Sequence, residues 1–145
     1  MKIRVAATLV AAVGLSLFGA LPASAHTYDH KDPYRSGCGN TKRVVKSAPI
    51  KSRLAERVGT IKLMWSSSCK TNWTEVSVPT SAHGTINVYT NRGSDRFIFK
   101  AGNGGRHWGN MMRAPGVCAW GGVAVQWNGG RGGQNGQGVT AKACG

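Results

Sequence analysis

The chain has 145 residues, with 19 Lys and Arg against five Asp and Glu, a formal net charge of +14 and a sequence pI of about 10.5. This length suffices for one domain with a hydrophobic core and excludes two. So strong a positive field favours polyanionic partners such as teichoic acids, anionic lipid head groups, acidic glycans or nucleic acid. The alternative explanation of the charge is solubility and general stickiness.

The first 25 residues have the pattern of a signal peptide. Lys2 and Arg4 form a positive start, residues 5–21 are an uncharged apolar run, and residues 23–25 (Ala-Ser-Ala) are a small-x-small cleavage site. The apolar run is slightly short for a membrane span and no stop-transfer pattern follows, which favours cleavage over anchoring. We therefore predict a signal peptide at residues 1–25 and a single secreted β-rich domain at residues 26–145.

The predicted secreted domain is strongly basic. Without Lys2 and Arg4 it keeps 17 Lys and Arg against five acids, a net charge of +12. Export excludes a cytosolic nucleic-acid role, so the expected polyanion is an anionic cell-wall polymer or lipid head group and no dedicated nucleic-acid partner is expected. Six cations lie within sixteen positions, opposed only by Glu56, and form either an anion patch or a solvated face. These six are Lys42, Arg43, Lys46, Lys51, Arg53 and Arg57.

Four cysteines, Cys38, Cys69, Cys118 and Cys144, lie in the predicted secreted domain. Disulfides are the default in an exported domain, and the cysteines lack the CxxC spacing that would support a zinc site. Four cysteines allow three pairings, of which we favour the sequential one, Cys38 with Cys69 and Cys118 with Cys144. Each bridge closes a loop of about 30 residues, worth roughly 3–4 kcal/mol in the chain-entropy model.

The stretch before residue 60 is ambiguous. Val44 and Val45 could begin a strand, Ser52 could cap one helical turn, and Pro49 argues against one continuous element. Short strands are then predicted at residues 60–66, 73–78, 85–90, 95–100, 117–120, 123–127 and 139–144. The turn signal at residues 91–94 makes residues 85–100 a β-hairpin.

Alternation along residues 60–66 predicts a half-buried strand. Ile61, Leu63 and Trp65 share one face, and residues 62, 64 and 66 share the other. The Gly-rich segment at residues 128–138 predicts a flexible loop between the last two strands. Short strands with Gly-rich turns predict an all-β fold: a small disulfide-stapled antiparallel barrel or sandwich with long Gly-rich loops.

Two polar segments are candidate sites. Arg106, His107 and Trp108 form a possible ligand loop, because Trp108 lies among glycines and could be exposed. At residues 28–32, His30 could act as a general base, but we favour a structural interpretation in which the two aspartates cap turns before Pro33. The chain contains no GxSxG or HExxH motif, so we assign no catalytic residue, cofactor or metal ligand.

The sequence YDHKDPYRSGC at residues 28–38 resembles the opening signature of the YjfA-like family, secreted bacterial proteins of unknown function with a YDGKDP…GC pattern. Residues 61–73 resemble its next block, an apolar strand followed by S-x-x-C-x-x-x-W, and residues 108–112, residues 115–118 and Cys144 are similar to later blocks. His30 stands where glycine is common, and Trp65 where tyrosine is common. The resemblance implies export, supports the pairing of Cys38 with Cys69 and carries over no catalytic residue.

These observations predict a secreted, basic, monomeric and non-catalytic protein that associates with anionic envelope polymers or other extracellular polyanions. One alternative is a small secreted hydrolase, either a nuclease or a cell-wall enzyme. Another is a secreted inhibitor or antagonistic effector that binds a protein target.

Overall fold

A computed structural model describes residues 28–145, so the predicted signal peptide lies outside the described range. The chain forms one antiparallel sheet in the order β5-β4-β8-β9-β1-β2-β3-β6, with β7 paired to β3 and β10 paired to β8. The strands are β1 (Lys42–Lys51), β2 (Arg57–Ser66), β3 (Thr71–Ser77), β4 (His83–Thr90), β5 (Gly93–Phe99), β6 (Arg106–Trp108), β7 (Met112–Arg113), β8 (Cys118–Gln126), β9 (Asn135–Val139) and β10 (Ala143–Cys144). The predicted all-β fold is confirmed.

The sheet curls into a nearly closed barrel whose two edge strands, β5 and β6, meet at a seam. Phe99 of β5 stacks on His107 of β6, with ring centroids 4.2 Å apart. The Thr74 hydroxyl of β3 donates to the carbonyl oxygen of Asn87 on β4, at 2.7 Å. These contacts join the two sides of the seam where no backbone ladder does, which protects edges that would otherwise pair with other chains.

The barrel interior holds two apolar clusters. The larger one consists of Ile50, Ile61, Val76, Ile86, Phe99, Val123 and Val125. The second lies towards one end and consists of Leu63, Val88, Met112, Ala114 and Ala119. Both clusters collect alternate residues of neighbouring strands, as a pleated sheet requires.

A third apolar cluster lies on the outer face of β2 and β3, and it corrects the prediction of a half-buried strand at residues 60–66. Met64 is 4% exposed and Ser66 is fully buried, although both alternate with the inward residues. Residues 28–38, which we call the strap, cover this face. Cys38 of the strap packs with Met64 and Trp73, so β2 is buried on both sides at this end.

β1 and β2 form a hairpin that includes the ambiguous residues before position 60, and the expected break at Pro49 does not occur. β1 runs through Pro49, which pairs with Thr60. On its other side β1 pairs with β9 only at Lys51, so most of β1 has the freedom of an edge strand, where proline is tolerated. The possible helical turn at Ser52 is instead the hairpin turn, in which the Ser52 hydroxyl accepts the Leu54 amide at 3.2 Å.

Glycines caused two errors in the predicted strands. The strands expected at residues 117–120 and 123–127 are one strand, β8, which runs through Gly121. A Cβ at Gly121 would lie 2.6 Å from the Thr74 hydroxyl oxygen, and one at Gly136 would lie 2.7 Å from a methyl carbon of Val58. Part of the segment expected to be a flexible loop is β9. These glycines are strand positions whose space is filled by neighbouring side chains.

Both favoured disulfides are confirmed. Cys38–Cys69 joins the strap to the turn between β2 and β3, with Cα atoms 5.6 Å apart. Cys118–Cys144 joins β8 to β10 at positions that are partners in the strand register. The first bridge therefore anchors a segment outside the sheet, whereas the second reinforces an existing strand pair.

Replacing Cys38 and Cys69 with serine should lower the free energy of unfolding by about 2–5 kcal/mol, because the unfolded chain regains the entropy of an open loop. Denaturant unfolding measures the loss, and hydrogen exchange of the strap amides reports the local effect. The double serine variant of Cys118 and Cys144 is the control, and its strap should stay protected. Equal strap protection in both variants would contradict the anchoring role.

Candidate functional site

The strap crosses the seam and is bonded to both of its sides. On β5, Asp95 Oδ2 lies 2.6 Å from His30 Nδ1 of the strap. On β6, the Trp108 indole N–H donates to Asp32 Oδ2 at 3.0 Å. Two backbone hydrogen bonds of 2.9 Å connect the strap to Met111, between β6 and β7. The strap therefore ties the barrel edges together from outside.

A buried carboxylate lies beneath the strap. Glu75 of β3 has a side chain that is 9% exposed and pairs with Arg106 Nη2 at 3.1 Å. The Trp73 indole N–H donates to its Oε1 at 3.0 Å, and the Tyr34 hydroxyl donates to the same oxygen. Arg106 Nη2 also donates to the Tyr34 hydroxyl, at 2.6 Å. These four residues, the Glu75 network, link the strap with β3 and β6.

Strand register brings the Glu75 network together. Trp73 and Glu75 alternate onto the outer face of β3, where Glu75 faces Trp108 and Ser77 faces Arg106 on β6. The strap presents Tyr34 through a turn in which Asp32 Oδ1 accepts the Tyr34 amide at 2.8 Å. Asp32 thus caps a turn, as the structural interpretation of residues 28–32 expects, whereas the Asp29 carboxylate accepts the backbone amide of Arg113 on β7.

Aromatic rings and cations stack around the network. The Tyr34 ring meets Trp108 edge-on at 4.8 Å between centroids. The Arg106 guanidinium lies 5.2 Å from both of these rings, and the Lys42 ammonium lies 4.9 Å from the Tyr34 ring centroid. Cation–π attraction of this kind adds to the hydrogen bonds that hold the strap.

Three titratable groups at the seam, Tyr34, Arg106 and Asp32, have pKa values shifted further away from neutral pH. Burial and the hydrogen bond to Glu75 raise the pKa of Tyr34 well above its ordinary value, so the phenol stays neutral and donates. Burial alone would lower the pKa of Arg106, but its bond to Glu75 outweighs burial and raises that pKa. For Asp32, burial alone would raise the pKa, but hydrogen bonds from two backbone amides and the Trp108 indole hold that pKa below its ordinary value. None of these groups changes charge near neutral pH, which suits a structural clasp.

Strand alternation separates the three residues of the expected ligand loop. Arg106 and Trp108 lie on the outer face with the Glu75 network, whereas His107 points inward and is 8% exposed. Burial lowers the pKa of His107, a shift that its hydrogen bond to the Gly102 backbone only partly offsets. His107 Nε2 is buried without a hydrogen-bond partner in the described range. A small cavity of about 190 Å³ at the seam is lined by Asp32, Phe97, Asn103, His107 and Trp108.

His30 occupies a strained backbone position. Its φ of +61° lies in the left-handed region that favours glycine, which agrees with the glycine common at this place in the resembling family. The side chain is 61% exposed and pairs with Asp95, whose carboxylate is nearly buried. Such an Asp–His pair can orient an imidazole. In the part of the chain described, its ring hydrogen-bonds to Asp95 and to no Ser, Thr or Cys nucleophile.

The six residues of the expected anion patch, which we call the basic patch, are all exposed. Four lie on β1, Arg53 lies in the hairpin turn, and Arg57 begins β2 opposite Lys51. Lys62 adds a further exposed cation on β2, opposite Ser47. Among residues 28–145, none of the six forms an ion pair with a carboxylate. The β1–β2 hairpin therefore carries unneutralised positive charge.

Within the described residues, no cluster of three or more His, Cys, Asp or Glu side chains has an arrangement that could hold a metal ion. None of the helices in this range has the length and apolar character needed to span a bilayer.

Residues 26–114 match the family model described as "Protein of unknown function (DUF2690)", which covers more than half of the chain. The chain belongs to this family. It is also 32% identical to the uncharacterized protein YjfA of Bacillus subtilis (strain 168) over 56 residues. This matched stretch covers 39% of this chain and 36% of that protein. No solved structure matches. The family match spans the strap, the Glu75 network, the first disulfide and the basic patch, and it confirms the resemblance noted in the sequence.

Removing the Tyr34 hydroxyl with Tyr34→Phe should cost about 1–3 kcal/mol of unfolding free energy, because the buried Glu75 carboxylate loses a donor and the half-exposed Arg106 loses an acceptor. Tyr89→Phe is the matched control, since Tyr89 stacks on Trp120 and makes no side-chain hydrogen bond within the described range. We expect that control to change stability by less than about 0.5 kcal/mol. Equal effects of the two substitutions in denaturant unfolding would refute the role given to the hydroxyl.

His107 should make stability depend on pH. Its pKa is depressed in the folded protein, so below its ordinary value of 6.5 the unfolded chain binds a proton that the folded chain does not. The stability that the folded protein has with a neutral His107 is therefore fully present above that ordinary value, and it is lost as the pH falls through the lower folded pKa. His107→Gln should flatten the dependence between about pH 7 and 5, whereas His83→Gln, at an exposed site, should not. Parallel curves for wild type and His107→Gln would be the opposite outcome.

Proposed function

We propose that this protein is exported and acts without catalysis by associating with anionic polymers of the bacterial cell envelope through the basic patch. The observation that carries the proposal is the set of exposed cations on the β1–β2 hairpin, none of which is paired with a carboxylate within residues 28–145. Unpaired cations keep their field for an external anion. A polymer with regularly spaced negative charges can engage several of them at once.

The placement of the acidic residues supports this proposal. Of the five acids in the sequence, four lie in or against the strap, where each accepts a hydrogen bond or forms an ion pair within the protein: Asp29, Asp32, Glu75 and Asp95. Glu56, in the hairpin turn, is the one acid near the basic patch. The fold thus uses four of its five acids at the seam, so the cations of the β1–β2 hairpin have no carboxylate partner within residues 28–145.

Export is supported by the two disulfides and by the signal-peptide pattern at residues 1–25. Disulfides form and persist in oxidising compartments and are rare in the cytosol. A bacterial protein outside the membrane faces teichoic acids or anionic lipid head groups, which are the polyanions nearest to it. A monomer suffices for this role, since the patch lies on one hairpin.

Binding of the protein to purified wall teichoic acid should weaken steeply as salt rises from about 50 to 500 mM, because exposed charges are screened over shorter distances. The quadruple variant Lys46→Gln, Lys51→Gln, Arg53→Gln, Arg57→Gln should bind at least about ten-fold more weakly at low salt, since each exposed ionic contact contributes up to about 1 kcal/mol. Co-sedimentation or calorimetry measures both effects.

The matched control removes the same charge elsewhere, at four exposed cations outside the patch: Arg92, Arg96, Lys100 and Arg131. Its glutamine variants should retain most of the affinity. Absent or salt-insensitive binding of the wild type would overturn the proposal. Equal weakening in both quadruple variants would show attraction by net charge alone and would remove the basic patch as the site.

A further inference from the structure

A second recess lies at one end of the barrel, away from the seam. Its volume is about 380 Å³, within the usual range for sites that bind small molecules. We call it the mouth. Its apolar floor consists of side chains that belong to, or pack against, the second interior cluster: Val45, Trp65, Ala114, Val117 and Ala143. The mouth therefore opens directly onto the hydrophobic core.

Small residues keep the mouth open. Ala114 and Ala143 occupy positions of the apolar floor where larger side chains would fill the space. Gly116 forms its lip with a φ of +65°, and a Cβ there would have no neighbour within 4 Å. An apolar recess of this size facing water is costly unless something covers it, since apolar surface is more stable when buried.

Two cations stand at the rim. Arg43 is the register partner of Trp65, and Lys70 lies in the turn between β2 and β3. Both are exposed, and neither pairs with a side-chain carboxylate in the described range. The Lys70 turn is fixed by backbone hydrogen bonds to Ser66 and Ala114, of 2.9 and 3.0 Å. No Asp or Glu side chain lines the mouth.

We propose that the mouth binds a small amphiphilic anion: an apolar ring or short acyl chain that ends in a carboxylate, phosphate or sulfonate. The apolar part covers Trp65 and the alanines, and the anionic end lies between Arg43 and Lys70. This ligand class satisfies both properties of the recess at once, whereas a purely apolar ligand leaves the cations without a partner and a bare anion leaves the floor exposed.

The site is separate from the proposed envelope binding. Arg43 belongs to both, but Lys70 belongs only to the mouth, and four other cations of the basic patch, Lys46, Lys51, Arg53 and Arg57, do not line it. A monovalent small anion also cannot bridge a row of surface cations. Failure of one proposal therefore leaves the other intact.

The test is a titration of the folded protein with octanoate, 1-octanol and inorganic phosphate, followed by amide and indole NMR signals. Octanoate should give saturable shifts confined to the Trp65 indole and the backbone amides of Ala114, Gly116, Val117, Ala143 and Cys144. Octanol should bind more weakly, and phosphate should give no saturable shift at these positions. Shifts spread over the whole basic surface, or no saturable shift with octanoate, would overturn the proposal.

Charge variants locate the anionic end of the ligand. Arg43→Gln and Lys70→Gln should each weaken octanoate binding by about two- to five-fold and leave octanol binding unchanged. Arg57→Gln removes an exposed cation of the basic patch that does not line the mouth, and it should change neither. Ala143→Leu should fill the recess and abolish the binding of both octanoate and octanol. Dispersed NMR signals would show that this variant folds. Octanoate affinity that falls equally in Arg57→Gln would contradict the site.

Discussion

The buried carboxylate of Glu75 is the constraint on which the rest of this structure depends. A carboxylate taken out of water is strongly destabilising unless it is paired and hydrogen-bonded. β3 places Glu75 on its outer face, and donors from its own strand, from β6 and from the strap meet there. The strap is thus required by electrostatics as well as by the disulfide at Cys38.

Docking of the strap determines how the barrel closes. The edge strands β5 and β6 do not pair through their backbones, and the strap bridges them with bonds to Asp95 on one side and Trp108 on the other. The strap and the residues beneath it hold four of the five acids, so the cations of the β1–β2 hairpin have no carboxylate partner within residues 28–145. The arrangement that closes the barrel thereby leaves available the positive charge that the proposed function uses.

Local patterns predicted much of the fold, and long-range packing explains what they missed. Alternation located β2 to β5, and the even number of cysteines together with the predicted signal peptide favoured the two disulfides that the structure confirms. Local rules predict breaks at Pro49 and Gly121. They do not include the fact that β9 pairs with β1 at a single position, which leaves room for a proline. Nor do they include the Thr74 side chain that fills the space of a Cβ at Gly121. The outer burial of Met64 required knowledge that the strap returns over β2.

The candidate sites show the same limit. The cations at residues 42–57 could be listed from sequence alone, because density of charge is a local property. The joining of Tyr34, Glu75 and Arg106 could not, since these residues lie far apart in the chain and meet only through the register of β3 with β6. The two-residue period that placed other strands would also have separated His107 from its neighbours, had residues 106–108 been recognised as a strand.

The central claim is that the strap holds the barrel seam closed. Native-state hydrogen exchange of the Asp32→Ala, Tyr34→Ala double variant tests it most directly. The account predicts faster exchange at the amides of β5 and β6, while those of the paired strands β4 and β8 keep their protection. Uniformly faster exchange across the sheet, or unchanged protection at the two edge strands, would contradict it.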